Sequence, residues 1–520
     1  MTEISALPSE ILSLILTQLG SASLASYASV CRKWQVLIEK QTFSHLLLTF
    51  DRLTDFKQII PPGSPRRCFI RYLDLYILLP AYEIAARTRL ESQIDRQKNN
   101  EAFTQTIVSF WNILSIWSQE EVAGLSLNIR ARSSSDCGAE PDERKRMGRR
   151  RWGRKFPKED WLDWRFYQSY LDLIINPTTL PELSCVTHFR VTCRGHRKIA
   201  PATVSKLLSR LPGIQIVHTS LSDDERKDQQ LRDRLRNEFA LTVSNWPSTI
   251  EHLCLEYPGL PPADGHFPPF RRSEPWYDLL SQALNQLTQQ LVTVKIDKIM
   301  IGPEFFWPPL HPYSAPPRWP RLTLLKLVYQ AVTPSGQWLF EKDPRCQPYS
   351  LSQREDVYEG IREDPRTPAP QDRYPDAFRS KPADLLNNLH RAAGQAAQHM
   401  PALRTMFLQA IPQLYPPGMA HLHFEAATES HPSPAHDTGH WFRYDRSRST
   451  ATWVSSGKFS LLADTVHAWR QVGALHGHAD FNLEVGFITP NRFSGSLASA
   501  IVWCFHDSGL LIHSLCFAEY

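Results

Sequence analysis

The chain lacks any uninterrupted apolar run near the roughly 20 residues that a membrane-spanning helix needs. Its apolar opening stretch, Ser9 to Leu19, imitates a secretory signal core, but no basic stretch precedes it and Glu3 is the only charge ahead of Ser9. The nine cysteines are odd in number and scattered without paired spacing. A disulfide framework is therefore excluded, and reduced thiols in a soluble protein of the cytosol or nucleus are expected. Gly-x-Ser-x-Gly, Gly-x-Gly-x-x-Gly and phosphate-binding Gly-Lys-Ser/Thr loops are all missing. No catalytic residue, cofactor, metal or membrane contact is expected on these grounds.

Acidic residues are missing from one place in particular. Residues 144–155 hold Arg144, Lys145, Arg146, Arg149, Arg150, Arg151, Arg154 and Lys155 with no carboxylate among them. Outside that run the chain is slightly acidic, although the net charge of the whole is +5. The basicity is local, so a general nucleic-acid footprint is not supported. The run reads as a nuclear-localisation signal or a solvated loop. Its alternative is a phosphate-contacting arm in which Trp152 stacks on a base.

What is present in excess is proline, at 40 of 520 residues, which favours turns and insertions over one compact core. The organising stretch is Ala6 to Leu46. Pro8 stands where a helix would begin, its φ already helical and its missing N–H at an orphan position. Ile11 and Ile15 share one stripe of that helix, and Leu12, Leu16 and Leu19 an adjacent one. Gly20-Ser21 breaks it. A second segment spans Leu24 to Val30, and a third starts near Cys31 and carries Trp34, Leu37 and Ile38 on one side. Three helices this short cannot bury enough surface to stand alone, so the excess apolar flank needs a further partner.

Leu7-Pro8, Glu10-Ile11, the Leu-rich helix and Val30-Cys31-Arg32-Lys33-Trp34 resemble, in order, the F-box motif over residues 4 to 46. F-box proteins are the substrate receptors of SCF-type cullin–RING ubiquitin ligases. The resemblance implies docking on the Skp adaptor, and through it on a cullin, with an unknown protein substrate held elsewhere. It places Leu7, Pro8, Ile11, Leu12, Ile15, Leu16, Leu24, Val30, Cys31 and Trp34 at the adaptor contact. A non-ligase scaffold using the same unit is the alternative.

Downstream, an i, i+3, i+5 apolar triplet recurs: Val122/Leu125/Leu127, Val186/Phe189/Val191, Leu211/Ile214/Ile216, Ile250/Leu253/Leu255, Leu291/Val294/Ile296, Leu322/Leu325/Leu327 and Leu403/Met406/Leu408. This is the kernel of a leucine-rich repeat, a turn residue followed by two inward positions of a short strand. Middle positions stand 25 to 81 residues apart, where a regular array steps by about 20–29. The expected fold class is thus α/β: a three-helix F-box, an irregular leucine-rich-repeat-like α/β array and a small α+β carboxy-terminal cap. A generic α/β domain with a mixed sheet is the alternative. Boundaries fall at 1–50 for the F-box, 51–130 for the start of the array, 131–158 for a disordered basic insertion, 159–439 for the array with proline-rich insertions, and 440–520 for the cap. The cap contains a hairpin around DRSRST and a helix with Val466, Trp469 and Val472 on one side. With the amino-terminal motif and the Leu-Pro-then-strand repeats, it loosely resembles a group of fungal F-box proteins of unknown substrate.

Cys185-x-x-His188 with Cys193-x-x-His196 offers four soft ligands, yet Phe189, Val191 and Cys193 alternate as a strand would. Buried structural cysteine is the expectation there. His476-Gly-His478-Ala-Asp480 and the histidines from His421 to His440 read as polar loops.

Overall fold

The computed structural model describes residues 7–18, 24–117, 124–136, 165–166, 168–193, 196–222, 228–259, 278–309, 315–342, 379–411, 440–455 and 459–487. The basic run 144–155 and the part of the expected cap beyond 487 lie outside the described residues. So do all the histidines from His421 onward except His440, until the chain resumes there.

Helices α1 (Ser9–Gln18), α2 (Leu24–Tyr27) and α3 (Arg32–Thr42) precede β1 (His45–Leu48) and α4 (Leu53–Ile59). Next come β2 (Tyr72–Leu79), α5 (Gln93–Leu114), β3 (Leu125–Ser133), β4 (Val186–Val191), α6 (Pro201–Leu208) and β5 (Ile216–Ser220). The middle of the chain continues with α7 (Gln229–Val243), β6 (His252–Glu256), α8 (Leu279–Thr288), β7 (Thr293–Ile299) and β8 (Leu324–Gln330). The short strands β9 (Phe340–Lys342) and β10 (Arg379–Pro382) pair with each other and so close the base of the long excursion between them. The remainder is α9 (Asp384–Ala397), β11 (Thr405–Ile411), β12 (His440–Asp445), β13 (Thr450–Ser455), α10 (Ala463–Leu475) and β14 (Asn482–Phe487).

Helix starts follow the local chemistry. The carbonyl of Pro8 accepts the Leu12 N–H at 3.1 Å, so the proline sits just outside the ladder where its missing donor is not needed. Ser92, Asp228 and Asp278 cap α5, α7 and α8 by accepting the N–H groups of Asp95, Leu231 and Ser281.

Among the described residues, every strand but β9 and β10 joins one twelve-stranded sheet in chain order. Each pair from β1 to β8, and then β8 with β11, is parallel. Strand β12 then turns back antiparallel on β11, β13 antiparallel on β12, and β14 lies parallel to β13. Over its described residues the region expected as a cap at 440–520 continues the same sheet: β12 to β14 extend it, and main-chain pairing satisfies the edge of β11.

Two apolar rows cross the parallel part. Leu73, Leu127, Phe189, Val217, Leu253, Val294, Leu325 and Met406 form one; Leu75, Ile129, Val191, Thr219, Leu255, Ile296, Leu327 and Leu408 form the next. None of these is more than 2% exposed. Their apolar members pack in one cluster with Phe110, Val204, Phe239, Leu284 and Leu389 from the helices.

Five of the seven expected triplets stand in this register. Leu211/Ile214/Ile216 is three residues early, since Val217 and Thr219 fill the rows and Ile216 lies on the other face. Val122/Leu125/Leu127 is two residues early, since Leu127 and Ile129 fill them. A proline marks the true phase. Leu180, Leu211, Trp246, Trp319 and Met400 each precede a proline and are each buried, and the apolar residue two or three positions after the proline is fully buried as well. Leu211 belongs to the plug before Pro212, not to the strand kernel after it.

The insertion expected at 131–158 begins later than the sequence suggests. Strand β3 runs to Ser133, and Asp136 folds back to accept the Ser133 N–H at 2.8 Å and the Tyr82 hydroxyl at 2.6 Å. At the far end α10 is locked onto α9. Asn387 donates to Ser460 O at 3.1 Å and accepts from Leu462 N at 3.0 Å, and Trp469 Nε1 donates to His390 O at 3.0 Å.

Candidate partner-binding surfaces

The amino-terminal helices have a core of their own. Leu12, Leu16, Leu24, Trp34 and Ile38 are buried together, with Leu7, Tyr27 and Cys31 packed against them. The Tyr27 and Trp34 rings stand 6.1 Å apart. Lys33 Nζ donates to Leu7 O at 2.6 Å and pins the chain ahead of α1 onto α3.

This core divides the ten residues expected at an adaptor contact. Leu12, Leu16, Leu24 and Trp34 face inward, and a partner reaches them only if the bundle opens. Pro8, Ile11, Ile15 and Val30 are exposed, Ile11 by 43% and Val30 by 62%, while Leu7 and Cys31 are half-buried. Leu14, 62% exposed, joins Ile11 and Ile15 on one stripe of α1 at i, i+3, i+4 spacing. Sequence reasoning passed over it, although the spacing alone carries the signal. Glu10 is the one charge on α1, so the stripe is apolar and unscreened. An apolar face of this kind on a unit too small to be self-sufficient marks an interaction surface.

The unit meets the sheet through α3. Arg66, in the turn before β2, places a guanidinium nitrogen 2.7 Å from Glu39 and stacks over Phe43 at 5.2 Å. That hydrogen bond holds the Glu39 carboxyl below its usual range.

The second surface is the face of the sheet opposite the helices. Alternation along each strand sends every second residue there. It is polar on β2 and β3, where Asp74 receives Asn128 at 2.9 Å and Arg130 at 2.6 Å. On β6 and β7, Glu256 accepts from Ser220 at 3.0 Å and Lys298 at 2.9 Å. Toward β11 and β12 it becomes aromatic: the rings of Phe407 and Trp441 stack at 6.5 Å and 26°. His188 and His252 lie on this face on either side of Ile216. Burial lowers the affinity of His188 for a proton, and the neighbouring His252 ring adds to that.

Cys185 is fully buried, while His188 lies on the open face bonded to Thr187, so strand alternation keeps those two apart. His476 and His478 contact the Tyr444 hydroxyl at 2.6 and 3.3 Å, which holds the turn after α10 against β12. Among the described residues no three His, Cys, Asp or Glu side chains gather as metal ligands would. No described helix is long and apolar enough to cross a membrane.

Comparison with known families bears on both ends of the chain. Residues 376–501 match a family of unknown function (DUF6546), and that match takes in β10, α9 and everything from β11 to β14. No curated protein matches the chain. Residues 4–48 match the F-box-like family, so the three helices with the exposed stripe, together with β1, form an F-box-like domain.

Proposed function

We propose that this chain is a substrate-receptor subunit of an SCF-type ubiquitin ligase. The F-box-like domain docks on a Skp-type adaptor through the Ile11, Leu14, Ile15 stripe and the Pro8 and Val30 edge, and the adaptor joins it to a cullin. The long sheet, in a leucine-rich-repeat-like arrangement, holds a protein target on its open face. The mechanism is positional: raising the local concentration of target lysines at the ubiquitin-loaded enzyme. It requires no catalytic residue, cofactor or metal in this chain, and it places the protein in the cytosol or nucleus. In the nucleus, residues 144–155 serve as an import signal.

The observation that carries this reading is the coincidence of the F-box-like match with an apolar stripe that no described part of the chain covers. F-box domains generally bind Skp-type adaptors, and that is the occupant the stripe fits. The test is co-purification of the full chain with a Skp-type adaptor and a cullin. Leu7→Ala/Pro8→Ala/Ile15→Asp abolishes capture of both if the reading is right. Undiminished capture rules out the stripe as the contact, and capture of the adaptor without the cullin points to a scaffold outside the ligase.

A further inference from the structure

Across five adjacent strands the open face carries one row that differs from its neighbours. Arg190 on β4 pairs in register with His218 on β5, His218 with Cys254 on β6, Cys254 with Lys295 on β7, and Lys295 with Lys326 on β8. The row on its amino-terminal side, His188, Ile216, His252, Thr293 and Leu324, has no formal charge with neutral histidines. On the carboxy-terminal side, Glu256 is occupied by Lys298 and Ser220, and Asp297 lies beside it. The strip therefore has positive charge along its middle, a neutral margin on one side and partly neutralised acid on the other.

Arg190 and Lys295 are exposed, and among the described residues neither makes an ion pair. From Lys326 the row passes directly to Phe407 on β11, whose ring stacks on Trp441 of β12. Basic charge thus runs along the row into a half-buried aromatic pair. Four strand spacings separate Arg190 from Lys326, about 19 Å, which an extended peptide covers in about six residues.

We propose that this strip is the docking site for an acidic protein segment of about six residues that crosses the strands over the basic row and anchors an apolar side chain against Phe407 and Trp441. The assignment rests on the reading of the open face as the target-binding surface and names the chemistry of that target. Carboxylates above Arg190 and Lys295 gain charge-assisted hydrogen bonds, while the neutral margin lets the backbone lie close without repulsion. The aromatic end supplies the buried anchor that concentrates binding energy. A basic segment is rejected by the row itself.

The test is fluorescence anisotropy on the full chain with a labelled octapeptide of six acidic residues followed by two phenylalanines. Binding that weakens at least tenfold in Arg190→Glu/Lys295→Glu, by an intermediate factor in Arg190→Gln/Lys295→Gln, and severalfold in Trp441→Ala supports the site. The charge-matched control Arg234→Glu/Arg470→Glu, on the exposed side of α7 and α10, leaves binding unchanged. Equal loss in control and row variants, no loss in the row variant, or equal binding of a peptide with lysines for the acids overturns it. Single-stranded DNA of equal charge that binds as tightly, and is lost in the same variants, assigns the strip to nucleic acid instead and overturns the peptide. Adaptor capture is read separately on the same proteins. Its failure with the peptide result intact removes the ligase reading and leaves the strip standing.

Discussion

Arg66 Nη2 stands 2.7 Å from Glu39 Oε1, and this bond couples the last helix of the F-box-like domain to the turn that precedes the sheet's second strand. Both side chains are partly exposed, so the pair contributes under about 1 kcal/mol to stability. Its role is orientation. Arg66→Ala is expected to leave adaptor capture and the melting temperature nearly unchanged while amide exchange quickens in α3 and β1. Because the Glu39 carboxyl is held below its usual range, the pair persists through neutral pH. It is lost only as pH falls through that lowered value. Unchanged exchange in α3 would show that the helix is held by packing alone.

Neighbouring residues on α1 separate binding from folding. Ile15→Asp places a charge on the exposed stripe and is expected to abolish adaptor capture with little change in helicity. Leu16→Ala removes a fully packed side chain from the small core and is expected to destabilise the amino-terminal unit by about 2–5 kcal/mol. Limited proteolysis of the two variants distinguishes them, with only the second cleaved faster.

Beneath β12, the Nε2 atoms of His390 and His440 lie 3.0 Å apart. Both rings are fully buried beside Phe459, and burial pushes both below the usual histidine range. A hydrogen bond between two ring nitrogens needs one donor and one acceptor, and burial disfavours a charge on either ring, so the pair is uncharged in the folded chain. The unfolded chain binds protons that the folded one refuses, and stability therefore rises with pH. It is complete above about pH 6.5 and falls below that, by up to about 1.4 kcal/mol per pH unit for each histidine. His476, held down to about 4 by burial and the charge of Arg446, acts in the same direction. Melting curves from pH 7 to pH 5 should steepen this loss in the native chain and flatten it in His390→Phe/His440→Phe.

At Gly394 the helices α9 and α10 cross so closely that an added Cβ would stand 3.1 Å from both Ala468 Cβ and Trp469 Nε1. Gly394→Val is expected to destabilise this end by about 1–3 kcal/mol through overpacking. Tryptophan fluorescence should shift to the red as Trp469 loses its buried site. An unshifted spectrum would mean that α10 slides without undocking.

Much of this architecture is legible in the residues. The β6, β8 and β11 triplets each follow a proline that fixes where the strand begins, and the β7 triplet falls in register without one. The β5 triplet is misplaced because Leu211 is apolar for a different reason, plugging the gap before Pro212. Helix α7 is missed since Arg232 and Arg236 sit on its buried side, where Arg236 meets Asp278 at 2.6 Å and the pattern looks polar. Strand β1 is missed because Leu46, Leu47 and Leu48 read as the tail of α3. The two surfaces depend on what lies across the strands, and residues as distant as Arg190 and Lys326 become neighbours in a row only through register. Leu14 alone was within reach of helical spacing.

Strand β8 hydrogen-bonds on one side to β7 and on the other to β11, which lies within the region of unknown function. A family boundary near residue 376 therefore cuts through a continuous ladder of main-chain bonds. A protein expressed only up to that point would carry a bare rung seven residues long, ready to stitch itself to any extended chain nearby. The carboxy-terminal region is in this sense a guard against self-association, and its retention is a condition for keeping the preceding strands monodisperse.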